Sequence, residues 1–331
     1  MIEHVLDLGN QLKKELETST EFVVDSYKDL LIVGMGGSGV AGDVLKLVMN
    51  ETTPINVEVR KEYGIPKVTA DRKPKCLFIS YSGNTEETVE AVNDAIQYNL
   101  DWSVISSGGT LLDLALKHKK PYVKVPSGLQ PRAAFGLMTK AVMHFVSSDE
   151  SRKYLELCNQ AGDYINEALA DQSENKLLER ALKISKDINT KSSVIYGGTP
   201  LTYLVAQRWK TQINENAKSK AFVGYMPEIH HNEILSWEAN KKDSKNNFQL
   251  LFLRSSNENP QVNKRFELTK EIIGEKVNIT EIDNISSANI ISNLFHLTLL
   301  GDLVSVYMAD NLNIDPYNIN AIEQLKKLLK G

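Results

Sequence analysis

The stretch Leu30-Leu31-Ile32-Val33-Gly34-Met35-Gly36-Gly37-Ser38-Gly39-Val40-Ala41-Gly42-Asp43 runs from an unbroken apolar segment through a glycine-rich turn into a helical pattern that continues to Val48. An apolar run of this length reads as a strand buried on both faces, the setting of a parallel sheet. The glycines allow a tight turn and close approach to a ligand. The helix start behind them offers free N–H groups and a positive dipole end to an anion. Outward from this unit the alternation continues: a strand at Ile55–Val59, a strand at Leu77–Ile79, a helix over Glu86–Tyr98 and a strand at Trp102–Ile105. Strands separated by helices imply right-handed crossovers and a mostly parallel sheet covered on both faces.

The second half repeats the plan. Ser193–Tyr196 is a strand ending in Gly197-Gly198 and followed by a helix over Leu201–Asn216, and Leu250–Leu253 is a strand followed by a helix over Gln261–Ile273. A chain of 331 residues exceeds one ordinary domain, for which about 100–200 residues is usual. The expected division is residues 1–150 and 151–331, joined through the polar helical stretch from Ser148 to Asn189.

Composition narrows the function. The net charge of -4 gives no basic face for nucleic acid. An anionic substrate must then be held by local dipoles and a few placed cations. Cys76 and Cys158 stand far apart without metal-ligand spacing, so two reduced thiols are expected rather than a disulfide framework. The start, MIEHVLDLGN, has no signal-peptide pattern. No apolar run approaches the ~20 residues of a membrane span. A cytoplasmic protein without membrane contact is the expectation.

Gly34, Gly36 and Gly39 fit G-x-G-x-x-G, but no Lys-Ser/Thr pair follows, so this is not a nucleotide P-loop. A dinucleotide reading has Glu58 in its favour, on the next strand where an acidic residue would hold a ribose hydroxyl. Against it stands Ser80-Tyr81-Ser82-Gly83-Asn84-Thr85-Glu86-Glu87-Thr88, a second loop between strand and helix. Hydroxyls at Ser38, Ser80, Ser82 and Thr85, with the amides of Gly36 and Gly37, suit a compact phosphate dianion. Capping and turn formation would explain one such loop; two in one domain favour phosphate.

The loops GMGGSG and SYSGNTEET resemble the sugar isomerase domain. Three further segments narrow this: Pro126-Ser127-Gly128-Leu129-Gln130-Pro131-Arg132-Ala133-Ala134, Asn214-Glu215-Asn216-Ala217-Lys218 and Pro227-Glu228-Ile229-His230-His231-Asn232-Glu233-Ile234. Together they are similar to the bifunctional phosphoglucose/phosphomannose isomerase family over essentially the whole chain. The resemblance implies an α/β fold of two sugar-isomerase-type, flavodoxin-like domains, each a parallel sheet flanked by helices in an αβα sandwich. It also implies hexose 6-phosphate substrates, no cofactor, and a homodimer in which a histidine crosses to the neighbouring subunit's site. By the same resemblance Glu215 matches the catalytic base, Arg132 the cation beside the reacting carbons, His231 the ring-opening histidine and Lys326 a C-terminal lysine. His230 stands where the family usually has asparagine, so either ring remains open at this point, as does Lys326 against Lys327.

Aldose–ketose isomerisation needs ring opening, removal of the C2 proton and its return at C1 through a cis-enediol(ate). A partly desolvated carboxylate suits the proton transfer, a histidine the ring oxygen, and a fixed cation the enediolate. The apolar stripe Leu201, Leu204, Val205, Trp209, Ile213 places Glu215 on the opposite helix face, beside Arg208 and Thr211. A solvated surface glutamate, a loop histidine and lysines of an amphipathic terminal helix are the ordinary readings of Glu215, His231 and Lys326. A zinc site at His230, His231, Glu228 and Glu233 is not expected, because adjacent side chains do not point at one ion. Two other functions compete: a non-catalytic phosphosugar sensor using the cradle alone, and an NAD-dependent dehydrogenase using Gly34, Gly36, Gly39 and Glu58.

Overall fold

The computed structural model describes residues 1–19, 26–146, 150–170 and 175–329. They form two compact units, Asp7–Glu167 and Met1–Leu6 together with Ala168–Gly331. In chain order the elements begin with α1 (Ile2–Leu6), α2 (Leu8–Lys13), β1 (Glu17–Thr18), β2 (Asp29–Gly34), α3 (Gly36–Thr52), β3 (Asn56–Arg60), α4 (Lys67–Ala70) and β4 (Lys75–Ser80). There follow α5 (Glu86–Gln97), β5 (Asp101–Ser106), α6 (Gly109–Lys117), β6 (Tyr122–Lys124), a 3-10 turn at Pro131–Ala133, α7 (Phe135–Val142) and α8 (Ser151–Ala168).

The sheet of the first unit has the order β1-β6-β5-β4-β2-β3, parallel except for the β1–β6 pair. Its five parallel strands follow the flavodoxin-like order, and the chain reverses direction across the sheet between β2 and β4, where ligands of open α/β sheets bind. Every residue of β4 is buried, as the apolar run demands of a strand covered on both faces. One core layer joins Leu31, Val33, Phe78, Trp102 and Val104 to Val92 and Ala95 of α5 and Leu111 of α6.

The second unit holds α9 (Lys176–Ile188), β7 (Ser192–Gly197), α10 (Pro200–Asn216), β8 (Ala221–Tyr225), 3-10 turns at Glu228–His231 and Glu233–Trp237, and α11 (Lys241–Asn247). It continues with β9 (Phe248–Arg254), α12 (Pro260–Ile273), β10 (Asn278–Asp283), α13 (Ile290–Asn311) and α14 (Asn320–Leu329). Its sheet, β10-β9-β7-β8, is wholly parallel and repeats the strand order of the first unit's core. Tyr196 stacks on Phe252, and Phe266 packs tilted against Phe252, in its core. Helix α13 is long and apolar enough by length and composition to cross a membrane, against the expectation from the sequence. In this fold 83% of its apolar window is buried, and it lies against α9 and α10 as a core helix.

The units divide after Glu167, not at the expected residue 150. Helix α8 belongs to the first unit because its inner face, Tyr154, Cys158, Ala161 and Ile165, is buried. Lys140 of α7 donates to its Leu155 carbonyl at 3.2 Å. Gly9 and Gly162 let α2 and α8 approach closely: a Cβ on Gly9 would fall 2.7 Å from the Gly162 carbonyl oxygen. At the other end, α1 packs against α13 in the second unit.

Candidate active site

In the first unit, α3 and α5 start beside one another behind the neighbouring strands β2 and β4. Neither helix start receives a hydrogen bond from a capping side chain. Their first-turn amides are therefore presented at the point where the sheet order reverses, an arrangement suited to an anion. Gly36, at φ +51, makes the turn into α3. Gly37 is crowded by the Pro131 carbonyl, 3.2 Å from where a Cβ would stand, which brings the Arg132 turn against the helix start.

Tyr81 ties three loops together. Its backbone N–H donates to Ser38 Oγ at 3.1 Å, joining the glycine loop to the hydroxyl loop. Its carbonyl accepts from Ser107 Oγ at 2.6 Å and Ser107 N at 3.0 Å, drawing in the loop after β5. Its phenol donates to the Pro126 carbonyl at 2.9 Å and accepts from Leu129 N–H at 3.0 Å, holding the segment that leads to Arg132. Burial pushes that phenol above its usual pKa, so it stays protonated and can keep donating. Arg132 itself is 5% exposed.

The hydroxyls divide. Ser80 Oγ and Thr85 Oγ1 are 2.8 Å apart, and Ser80 Oγ also accepts from Gly83 N–H. Ser80 thus holds the turn together, and its partner Thr85 stands at the head of α5. Ser82 does not converge with them: it is exposed, its hydroxyl accepting from Asn84 N–H at 3.3 Å. The reading from sequence also missed the third loop, Ser106-Ser107-Gly108-Gly109-Thr110, although its glycine and hydroxyl pattern between strand and helix was the available signal. Asn84 Oδ1 accepts from Thr110 N and Oγ1, both at 3.0 Å, closing this loop onto the second. Glu58, the residue favouring a dinucleotide, directs its carboxylate at Arg72, 2.8 Å away.

The second unit treats the equivalent positions differently. Helix α10, behind β7, is closed by Thr199 and Thr202 in a reciprocal capping box, and α12, behind β9, by Asn259. These helix starts spend their amides on the protein's own side chains.

Glu215 lies in the last turn of α10, half-buried. Arg208 does not share an outer face with it: Arg208 is 2% exposed and pairs with Asp302 of α13 at 2.5 Å. The histidines separate. His230 Nδ1 accepts from Arg265 at 2.9 Å, while Nε2 lies 2.8 Å from Thr269 Oγ1. That hydroxyl already donates to the Arg265 carbonyl, so Nε2 carries the ring proton. Burial, then the charges of Arg265 and His231, holds this imidazole below its usual pKa. His231 is exposed.

The unit does not bring its own Glu215 and His231 together. Helix α10 starts at the C-terminal edge of the sheet and ends where β8 begins, whereas His231 follows the far end of β8. The five residues of β8 separate the two edges by roughly 16 Å, at about 3.3 Å each. Lys326 is on α14, which buries none of its residues. Among the described residues no three of His, Cys, Asp and Glu are grouped to hold a metal ion.

Two flavodoxin-like units, one with an open pair of helix starts, define a phosphosugar-type α/β protein built from duplicated sugar isomerase domains. Residues 25–106 match the SIS domain model, and 178–329 match that of the bacterial phospho-glucose isomerase C-terminal SIS domain. The chain is 32% identical to the bifunctional phosphoglucose/phosphomannose isomerase of Thermoplasma acidophilum, over 98% of each chain. It is also 32% identical to that of Aquifex aeolicus, over 92% of this chain and 91% of the other. A hypothetical protein of Thermus thermophilus shares the fold with a TM-score of 0.74 at 13% identity, over 99% of this chain and 87% of that one. The chain belongs to the bifunctional phosphoglucose/phosphomannose isomerase family.

Proposed function

We propose that this protein interconverts glucose 6-phosphate and mannose 6-phosphate with fructose 6-phosphate in the cytosol, as a homodimer. Family membership along nearly the full chain supports the reaction. The observation that carries the binding mode is the pair of uncapped helix starts, α3 and α5, beside Ser38. The phosphate dianion takes the amides of Gly36 and Gly37 and the hydroxyls of Ser38 and Thr85. Both cysteines, Cys76 and Cys158, are buried free thiols pushed up to about 12 by burial, in keeping with a reducing compartment.

Glu215 removes the proton from C2 and returns it to C1, while the hydroxyl proton moves between O2 and O1. Both C2 epimers give the same cis-enediolate, which is how one base serves both aldoses. Arg132 offsets the negative charge that grows on the enediolate oxygens. His231 exchanges protons with the ring oxygen and O1 as the ring opens, and Lys326 assists that step. The separation of Glu215 from His231 along β8 supports a histidine supplied by the second subunit. His230, already bonded to Arg265 and Thr269, leaves His231 as the ring available for this.

Coupled assays from fructose 6-phosphate, following each aldose phosphate separately, test the reading. Glu215→Gln should lose nearly all of both activities while still binding the sugar phosphate. Turnover equal to wild type would remove Glu215 as the base.

A further inference from the structure

Arg208, Gln212 and Asn216 recur at every fourth residue of α10 and are 2%, 3% and 0% exposed. Residues spaced in this way share one helix face. That face meets α13. Arg208 pairs with Asp302, Gln212 bonds the same carboxylate, and Asn216 Nδ2 donates to Ser305 Oγ at 2.9 Å. Ser305 in turn donates to the Asp302 carbonyl at 2.7 Å. Between them the Trp209 indole N–H donates to the Leu297 carbonyl at 2.8 Å.

An apolar seam would stabilise two packed helices at least as well, because removing a buried ion pair from water largely offsets its attraction. A polar line supplies register instead. Rotation of α10, or a slip by one turn, would set a buried guanidinium and two amides against hydrocarbon. The line ends at Asn216, next to Glu215. On the other side Asn214 Nδ2 donates to the Ser219 carbonyl at 2.8 Å and closes the turn into β8.

We propose that Arg208, Gln212 and Asn216, with Asp302 and Ser305, are positioning residues that fix the rotation and height of α10 and so hold the Glu215 carboxylate where it transfers the proton. This rests on the assignment of Glu215 as the base. Displacing a catalytic group by about 1 Å can lower turnover by ~10²-fold with the fold intact.

The test is the double variant Asn216→Leu/Ser305→Ala, which removes the donor and the acceptor of the bond between them together. Its melting temperature should equal or exceed wild type and its KM should stay within about twofold, while kcat falls about tenfold or more. Arg208→Met/Asp302→Leu should give the same split and serves if the first pair fails to fold. A folded pair variant with kcat within about twofold of wild type overturns the proposal. In the wild-type protein, amide exchange at residues 213–216 should be as slow as in the middle of α10, where helix ends ordinarily fray. Exchange as fast as at frayed ends also overturns it. Glu215→Gln run alongside separates the two ideas: if it keeps turnover, the base assignment has failed, and the exchange measurement alone decides the positioning role.

Discussion

Ser38 accepts the backbone N–H of Tyr81 at 3.1 Å, so one hydroxyl fastens the glycine loop after β2 to the hydroxyl loop after β4. Ser38→Ala leaves that buried amide without its acceptor, at a cost of about 1–3 kcal/mol. It also removes a hydroxyl from the proposed phosphate cradle. Urea unfolding should show the stability loss, and calorimetric titration with fructose 6-phosphate should show affinity reduced by about tenfold. Unchanged affinity in the folded variant would remove Ser38 from the cradle.

Gly83 is the position where the loops leave least room. It has φ +70, and a Cβ there would fall 1.8 Å from the Gly108 carbonyl oxygen. Gly83→Ala must therefore move the loop after β5 as well as strain its own backbone, and a loss of more than about 3 kcal/mol is expected. Denaturant midpoints of this variant and of Gly36→Ala make the comparison. Gly36 also has positive φ but open space around its Cβ, so that variant should cost only about 1 kcal/mol.

Subunit mixing tests whether His231 acts across a dimer. Glu215→Gln and His231→Ala should each be nearly inactive alone. In a mixed dimer one site would join an intact Glu215 to an intact histidine from the other chain, so random mixing should restore about a quarter of wild-type activity. A histidine acting within its own chain would leave every mixture inactive. His230→Ala should instead chiefly lower stability, by about 1 kcal/mol, since its ring bonds only Thr269 and Arg265 among its assigned partners.

Acid should weaken the second unit through His296. Burial, with the charge of Arg180, holds its imidazole down at about 4, against 6.5 for an ordinary histidine. Between those values the unfolded chain takes up a proton that the folded chain resists. Stability contributed by neutral His296 is therefore complete above pH 6.5 and declines as pH falls toward 4. Unfolding free energies across this window should fall less steeply for His296→Leu; an unchanged slope would show that His296 is not responsible.

The strands β2, β4, β5, β7 and β9 were legible because each is an apolar run wherever both faces are covered. β1 and β6, at two and three residues, carry no pattern long enough to register, and β10, Asn-Ile-Thr-Glu-Ile-Asp, has two isoleucines three apart, neither an apolar run nor an alternation. Helix α13 is apolar nearly all round, so no stripe marks its period. The cradle loops were visible from glycine and hydroxyl spacing, yet the exposure of Ser82 depends on how the third loop packs. Arg208 was misplaced for a different reason. A lone arginine is assigned to solvent by composition, and the carboxylate that justifies burying it lies 94 residues away in the chain.

Thr199 and Thr202 bear on how a doubled architecture divides its labour. By turning their hydroxyls onto the head of α10 they close the later copy's helix start, whereas α3 and α5 of its sibling carry no such cap. Saturation should accordingly stop at a single equivalent of sugar phosphate for each polypeptide, leaving the later copy to frame the carboxylate proposed to move the proton.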